Sequence, residues 1–93
     1  MPALSGQTTV PTAGTAVALG TQIIAGALLV KALASNTGLV YVGNDGSHNV
    51  TSANGYPLAA GDQVIFEHVA QLSNIRVNAA VNNEGVAWLA LNI

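Results

Sequence analysis

The sequence predicts an all-β protein, a small β-sandwich or jelly-roll-like barrel with an extended N-terminal arm, and three observations carry that prediction. Short runs of β-branched and aromatic residues recur roughly ten residues apart along the 93-residue chain. Clusters of Gly, Asn and Asp separate them, at Asn44-Asp45-Gly46, Asn54-Gly55, Gly61-Asp62 and Asn82-Asn83-Glu84-Gly85. Ile75, Val77, Ala79 and Val81 alternate with Arg76, Asn78 and Ala80, the period-two pattern of a half-buried strand. The arm is expected over residues 1–13 and a single sandwich domain over residues 14–93.

Taken in order, residues 2–13 read PALSGQTTVPTA, small, polar and proline-punctuated with no sustained period. They are read as an extended arm, either frayed or docked on a neighbouring molecule. Thr15 to Leu19 alternates weakly and stops at Gly20, a candidate first strand. Ile23 to Ala34, IIAGALLVKALA, is rich in helix-favouring Ala and Leu, yet Gly26 sits badly inside a helix. Read instead as a strand from Ala27, it places Leu28, Val30 and Ala32 on one face and Leu29, Lys31 and Leu33 on the other. Ser35-Asn36-Thr37-Gly38 then turns into the strand Leu39-Val40-Tyr41-Val42. Tyr56-Pro57-Leu58 leads to the Gly61-Asp62 turn, and Gln63 to Glu67 resumes strand character. The last strand, Val86-Ala87-Trp88-Leu89-Ala90-Leu91, is apolar on both faces, so it needs cover on both. Val86 and Trp88 are expected to face the core, with Trp88 a core residue.

Composition narrows the function. A chain this short buries only about 60–65% of the surface its unfolded form exposes. Yet 51% of its residues are hydrophobic and 6% charged, against roughly 25% charged in ordinary soluble domains. The excess apolar surface implies a partner, most simply identical subunits. The longest apolar run, Ile23 to Val30, is interrupted by Lys31 and falls short of the roughly 20 residues that span a membrane. Met1 to Gly6 shows neither the basic nor the apolar region of a secretion signal. A soluble protein made in the cytoplasm is expected, with no membrane partner. Cysteine is absent, so no disulfide or thiolate site exists. The net charge of −2, with Lys31 and Arg76 the only strong bases, gives a phosphate backbone little to bind, and no nucleic-acid partner is expected.

No catalytic constellation stands out. His48 and His68 lie far apart without ligand spacing for a metal, and Asn44-Asp45-Gly46-Ser47 lacks the twelve-residue pattern of a calcium loop, reading as a turn instead. Asp62 is read as a turn residue whose carboxylate accepts local amides. No Gly-x-Ser-x-Gly or comparable motif frames a hydroxyl nucleophile. The expectation is no catalytic residue, no cofactor and no metal.

The segments NTGLVYVGNDG (36–46), TSANGYPLAAGDQVIFE (51–67) and LSNIRVNAAVNNEGVAWLAL (72–91) resemble a module of tailed-bacteriophage structural proteins. The carrying features are Val-Tyr-Val-Gly-Asn, the Asn-Gly-Tyr-x-Leu-x-x-Gly-Asp turn before an apolar strand, and the terminal Trp-Leu strand. The chain is similar over most of its length to small head decoration, or cement, proteins. The resemblance implies a non-enzymatic β-sandwich protein, trimeric or less often dimeric, bound to the major capsid protein on the outside of the virion and stabilising the lattice. On that reading Leu4, Val10 and Pro11 of the arm are the candidate contacts with the capsid or a neighbour, and Ala87, Leu89 and Leu91 the candidate subunit interface. The competing expectation is a carbohydrate- or receptor-binding module of a tail or fibre, using Tyr56, His48 and Asn54 on an exposed loop.

Overall fold

The computed structural model describes residues 3–91; Met1 and Pro2 of the expected arm, and Asn92 and Ile93 of the expected domain, lie outside the described residues. Eight strands follow one another: β1 (Ala3–Val10), β2 (Val17–Ala18), β3 (Leu28–Ala32), β4 (Val40–Gly43), β5 (Tyr56–Leu58), β6 (Gln63–Phe66), β7 (Arg76–Ala79) and β8 (Glu84–Leu91). A 3₁₀ turn, Leu72–Asn74, precedes β7. β1 pairs with β8, β2 with β7, β3 with β6 and β4 with β5, all antiparallel. The chain therefore pairs like one long hairpin ribbon folded back on itself, with its tip in the β4–β5 connection. Two further pairings, β3 with β8 and β4 with β7, join the ribbon into two four-stranded sheets in the orders β1-β8-β3-β6 and β2-β7-β4-β5. This is jelly-roll connectivity, an architecture of eight strands in two facing sheets.

The core lies between the sheets, where alternate positions meet. Leu28, Val30, Ala32, Val86 and Ala90 come from the first sheet, and Val40, Val42, Leu58, Val77 and Ala79 from the second. Leu19, Ile24, Leu72 and Ile75 close the ends. The expected faces of β3 hold: Leu28, Val30 and Ala32 are buried while Lys31 is exposed.

The N-terminal segment differs from the expectation. Residues 3–10 are extended, but as an edge strand of the first sheet, in one-to-one register with β8 from Ala3 opposite Leu91 to Val10 opposite Glu84. No domain boundary falls at residue 13. The alternation is real and was masked by Gly6 and Thr8, which share the inward face with Leu4 and Val10. Trp88, half-buried and packed against the core, reaches across from β8 into the space a large side chain would take there. A Cβ on Gly6 would stand 2.6 Å from its Cζ2, and its Nε1 donates to Thr8 Oγ1 at 3.3 Å. Thr8 in turn donates to the Leu19 carbonyl at 2.7 Å. Three smaller corrections follow. The weak alternation of 15–19 yields strand only at Val17–Ala18. Val81, expected inside, lies beyond the end of β7 and is exposed. Glu84 and Gly85, expected in a turn, open β8.

That opening is where the first sheet is locked. The Glu84 carboxylate accepts the Thr37 N–H at 2.7 Å, the Thr37 hydroxyl at 2.8 Å and the Gly38 N–H at 2.9 Å. The buried Asn36 amide brackets Gly85, donating to its carbonyl and accepting from its N–H. Gly85 is there because nothing larger fits: a Cβ would collide with the Thr8 carbonyl and stand 2.6 Å from the Thr9 Cα. Gly85→Ala is expected to cost at least about 3 kcal/mol, from overpacking against backbone and loss of the Asn36 bonds. Its urea midpoint should fall accordingly.

The same clasp predicts a pH dependence. The backbone N–H of Gly38, then that of Thr37, and the Thr37 hydroxyl hold the Glu84 carboxyl below its ordinary value of 4.5, against a smaller upward push from desolvation. A folded-state pKa below the unfolded one contributes stability that is complete above the ordinary value and is lost as pH falls through the folded one. Glu84→Gln should therefore flatten the acid limb of the stability curve below pH 4.5, measured by urea unfolding across pH, and leave its slope near neutrality unchanged.

Candidate functional site

Two outward surfaces are built by the fold, one on each sheet. On the first sheet, register places side chains in rows. Leu29 lies opposite Ile65 on one side and Leu89 on the other, so these three stand across the outer face. Leu91 extends the apolar surface, its N–H donating to the Ala27 carbonyl at 2.9 Å. In the next row Lys31 lies between Gln63 and Ala87. Ile65 is 57% exposed, Leu89 37% and Leu91 38%. The surface is grooved, with about 200 Å³ of space lined by Leu29, Lys31, Gln63, Ala87, Trp88 and Leu89. Ser5, Gln7 and Thr9 of β1 form its uncharged polar margin.

The expected interface residues thus share one outward face: Ala87 half-buried, Leu89 and Leu91 exposed, with Val86 and Ala90 turned inward. Sequence reasoning omitted Leu29 and Ile65, which only the register reveals. The expected arm contacts separate. Pro11 is exposed, Leu4 is half-buried against the core, and Val10 is fully buried. Val10 is a core residue whose side chain is turned inward and fully covered, and its carbonyl accepts the Asn83 N–H.

The second sheet carries an uncharged cleft of about 500 Å³, lined by residues that include Tyr41, Thr51, Ser52, Asn78, Gly14 and Ala80. Tyr41 and Asn78 are register partners on the outward face. Asn78 was expected on the wet side of its strand, but it is only 3% exposed. Its Oδ1 accepts the Gly14 N–H at 3.0 Å and the Ala79 N–H at 2.8 Å, while its Nδ2 donates to the Val50 carbonyl at 2.9 Å. One amide thereby ties the two loops that wall the cleft. Beneath the second loop Val50 is buried apart from the main core, 2.7 Å from where a Gly55 Cβ would stand.

That loop, residues 44–55, is held by its own polar side chains. Asn44 Oδ1 accepts the N–H groups of Gly46 and His48, and Asp45 Oδ1 that of Ser47. Asn44 Nδ2 donates to the Asn74 carbonyl, and Asn54 Oδ1 accepts the Thr51 N–H. The expected turn is therefore present, with Gly46 at φ +91° and His48 at φ +62°. Asp62 likewise accepts the Ala59 N–H. Tyr56, His48 and Asn54 are all exposed, but they do not line the cleft, and Asn54 spends its oxygen on the loop.

Among the described residues no three of His, Asp or Glu gather to hold a metal. No helix there is long and apolar enough to cross a membrane. No protein-family model, no curated protein and no solved structure matches this chain. Asn78→Ala would strip the Val50 carbonyl of its partner and leave the Gly14 N–H only its 3.3 Å bond to the Ala79 carbonyl; it is expected to cost about 2 kcal/mol, with faster amide hydrogen exchange at Gly14 and across residues 50–52.

Proposed function

We propose that this chain is a non-enzymatic structural protein of a tailed-bacteriophage virion. Made in the host cytoplasm, it binds the outer capsid surface as a homotrimer and stabilises the lattice formed by the major capsid protein. The observation that carries this reading is the apolar outer face of the first sheet, Leu29, Ile65, Leu89 and Leu91, on a chain with 6% charged residues. Solvent gives such a face nothing, whereas a neighbouring copy removes it from water at about 25 cal/mol per Å². Ala87, Leu89 and Leu91 are the subunit contacts on this reading, now joined by Leu29 and Ile65.

The edges of the sheets support the same reading. β2 has two residues, β5 has three with Pro57 among them, and β6 has four. Short strands and proline are the usual protection of an exposed edge. β1 is eight residues long, without charge or proline, and is suited to lie along another chain. Leu4 and Pro11 sit at its two ends as the remaining contact candidates for capsid. Jelly rolls are used by viral capsid and lectin domains alike, so the architecture is compatible with this role by analogy only.

The mechanism is mass action. A protein that binds the assembled lattice and not its separated subunits stabilises the lattice by RT ln(1 + [L]/Kd) per site, about 2.7 kcal/mol when free protein is a hundredfold above Kd. Repeated over many sites, this opposes the internal pressure of packaged DNA.

The test uses shells of the virus that encodes the chain, stripped of it. Re-adding the protein should raise the temperature at which shells rupture. Leu89→Asp, on the exposed face, should keep its fold, sediment as a monomer and lose the protection. A wild-type protein that is monomeric and leaves shell rupture unchanged would contradict the proposal.

A further inference from the structure

We infer that the cleft on the outer face of the second sheet is a binding site for a neutral saccharide. This goes beyond the structural role proposed above and does not depend on it, since it uses the opposite sheet and different residues.

Three observations point to that ligand class. First, the size is right for a small molecule: about 500 Å³ lies within the roughly 300–1,000 Å³ range in which proteins hold such ligands. Second, the lining is uncharged. Tyr41 gives an aromatic surface, Ser52 gives a hydroxyl, and Ala13, Gly14, Ala79 and Ala80 give small walls and backbone groups. With no Lys, Arg, Asp or Glu lining it, the cleft has no counter-charge for a phosphate, carboxylate or amine. A ring beside neutral hydrogen-bonding groups instead suits a molecule with apolar C–H faces and hydroxyl edges.

Third, the walls are held in place before any ligand arrives. Asn78 is buried on the outward face of β7, an expensive position for an amide unless its hydrogen bonds are satisfied. It satisfies them by holding Gly14 on one wall and Val50 on the other. The 44–55 loop is further stiffened by Asn44, Asp45, Thr51 and Asn54. Ser52 stays exposed at the rim of this rigid frame. Walls ordered in advance reduce the entropy a ligand must forfeit, which matters most for weakly binding hydroxylated ligands.

The experiment is a titration of the full chain, followed by amide chemical shifts. The probes are glucose, galactose, mannose and N-acetylglucosamine, and disaccharides of each, taken to roughly ten times a Kd of about 1 mM. At least one should produce saturable shifts centred on Gly14, Thr51, Ser52 and Ala80. Ser52→Trp and Ala80→Arg, both at exposed positions lining the cleft, should each weaken binding at least tenfold with the rest of the spectrum unchanged. His48→Ala and Tyr56→Ala should leave it intact. The inference is overturned if none of the neutral sugars gives saturable shifts, if shifts persist in both wall variants, or if N-acetylneuraminic acid binds more tightly than every neutral probe. Trimer formation and shell protection do not enter this readout, so either proposal can fail alone.

Discussion

The antiparallel pairing of β8 with β1 on one side and β3 on the other is the constraint on which the rest depends. β8 carries three structures at once. Its start is clamped by Asn36 and the Glu84 carboxylate. Its middle supplies Trp88, which packs over Gly6 and so settles where β1 must lie. Its outward positions, Ala87, Leu89 and Leu91, form much of the apolar face. A shift of register by one residue would exchange the two faces of β8, driving Trp88 outward and Leu89 into the core. Gly85 guards against that shift, because only a residue without a side chain passes the Thr8 backbone.

The two sheets therefore divide the surface. The core between them is narrow and valine-rich, and a chain of 93 residues cannot bury all its apolar side chains there. The first sheet shows the surplus on its outer face. The second sheet hides its own surface differently, under a loop with a small satellite core at Val50 and a polar staple at Asn78. Where the first sheet offers an apolar plane suited to another protein, the second offers a walled, uncharged hollow suited to a small neutral molecule.

How much of this was legible in the sequence follows from which interactions are local. β3, β4, β6 and β8 are announced by β-branched residues and by the turns at Ser35–Gly38, Gly61-Asp62 and Asn82-Asn83, all contained within a few residues. The outward set Ala87, Leu89 and Leu91 follows from alternation alone. β1 was hidden because the residue that fills its inward face, Trp88, belongs to a strand some eighty positions away. Asn78 was read as solvent-facing because its partners, Gly14 and Val50, are 64 and 28 residues distant. An Asn flanked by Val77 and Ala79 looks like ordinary alternation until those loops fold over it. Leu29 and Ile65 each look unremarkable, and only register sets them beside Leu89.

The central claim, that this is a protein packed in many copies on a viral shell, is tested most directly by counting it. Quantitative mass spectrometry of purified particles gives its ratio to the major capsid protein. A constant ratio amounting to hundreds of copies per particle is the predicted result and would direct attention to the threefold and quasi-threefold sites of the lattice. A few to a few dozen copies, or none, would contradict it.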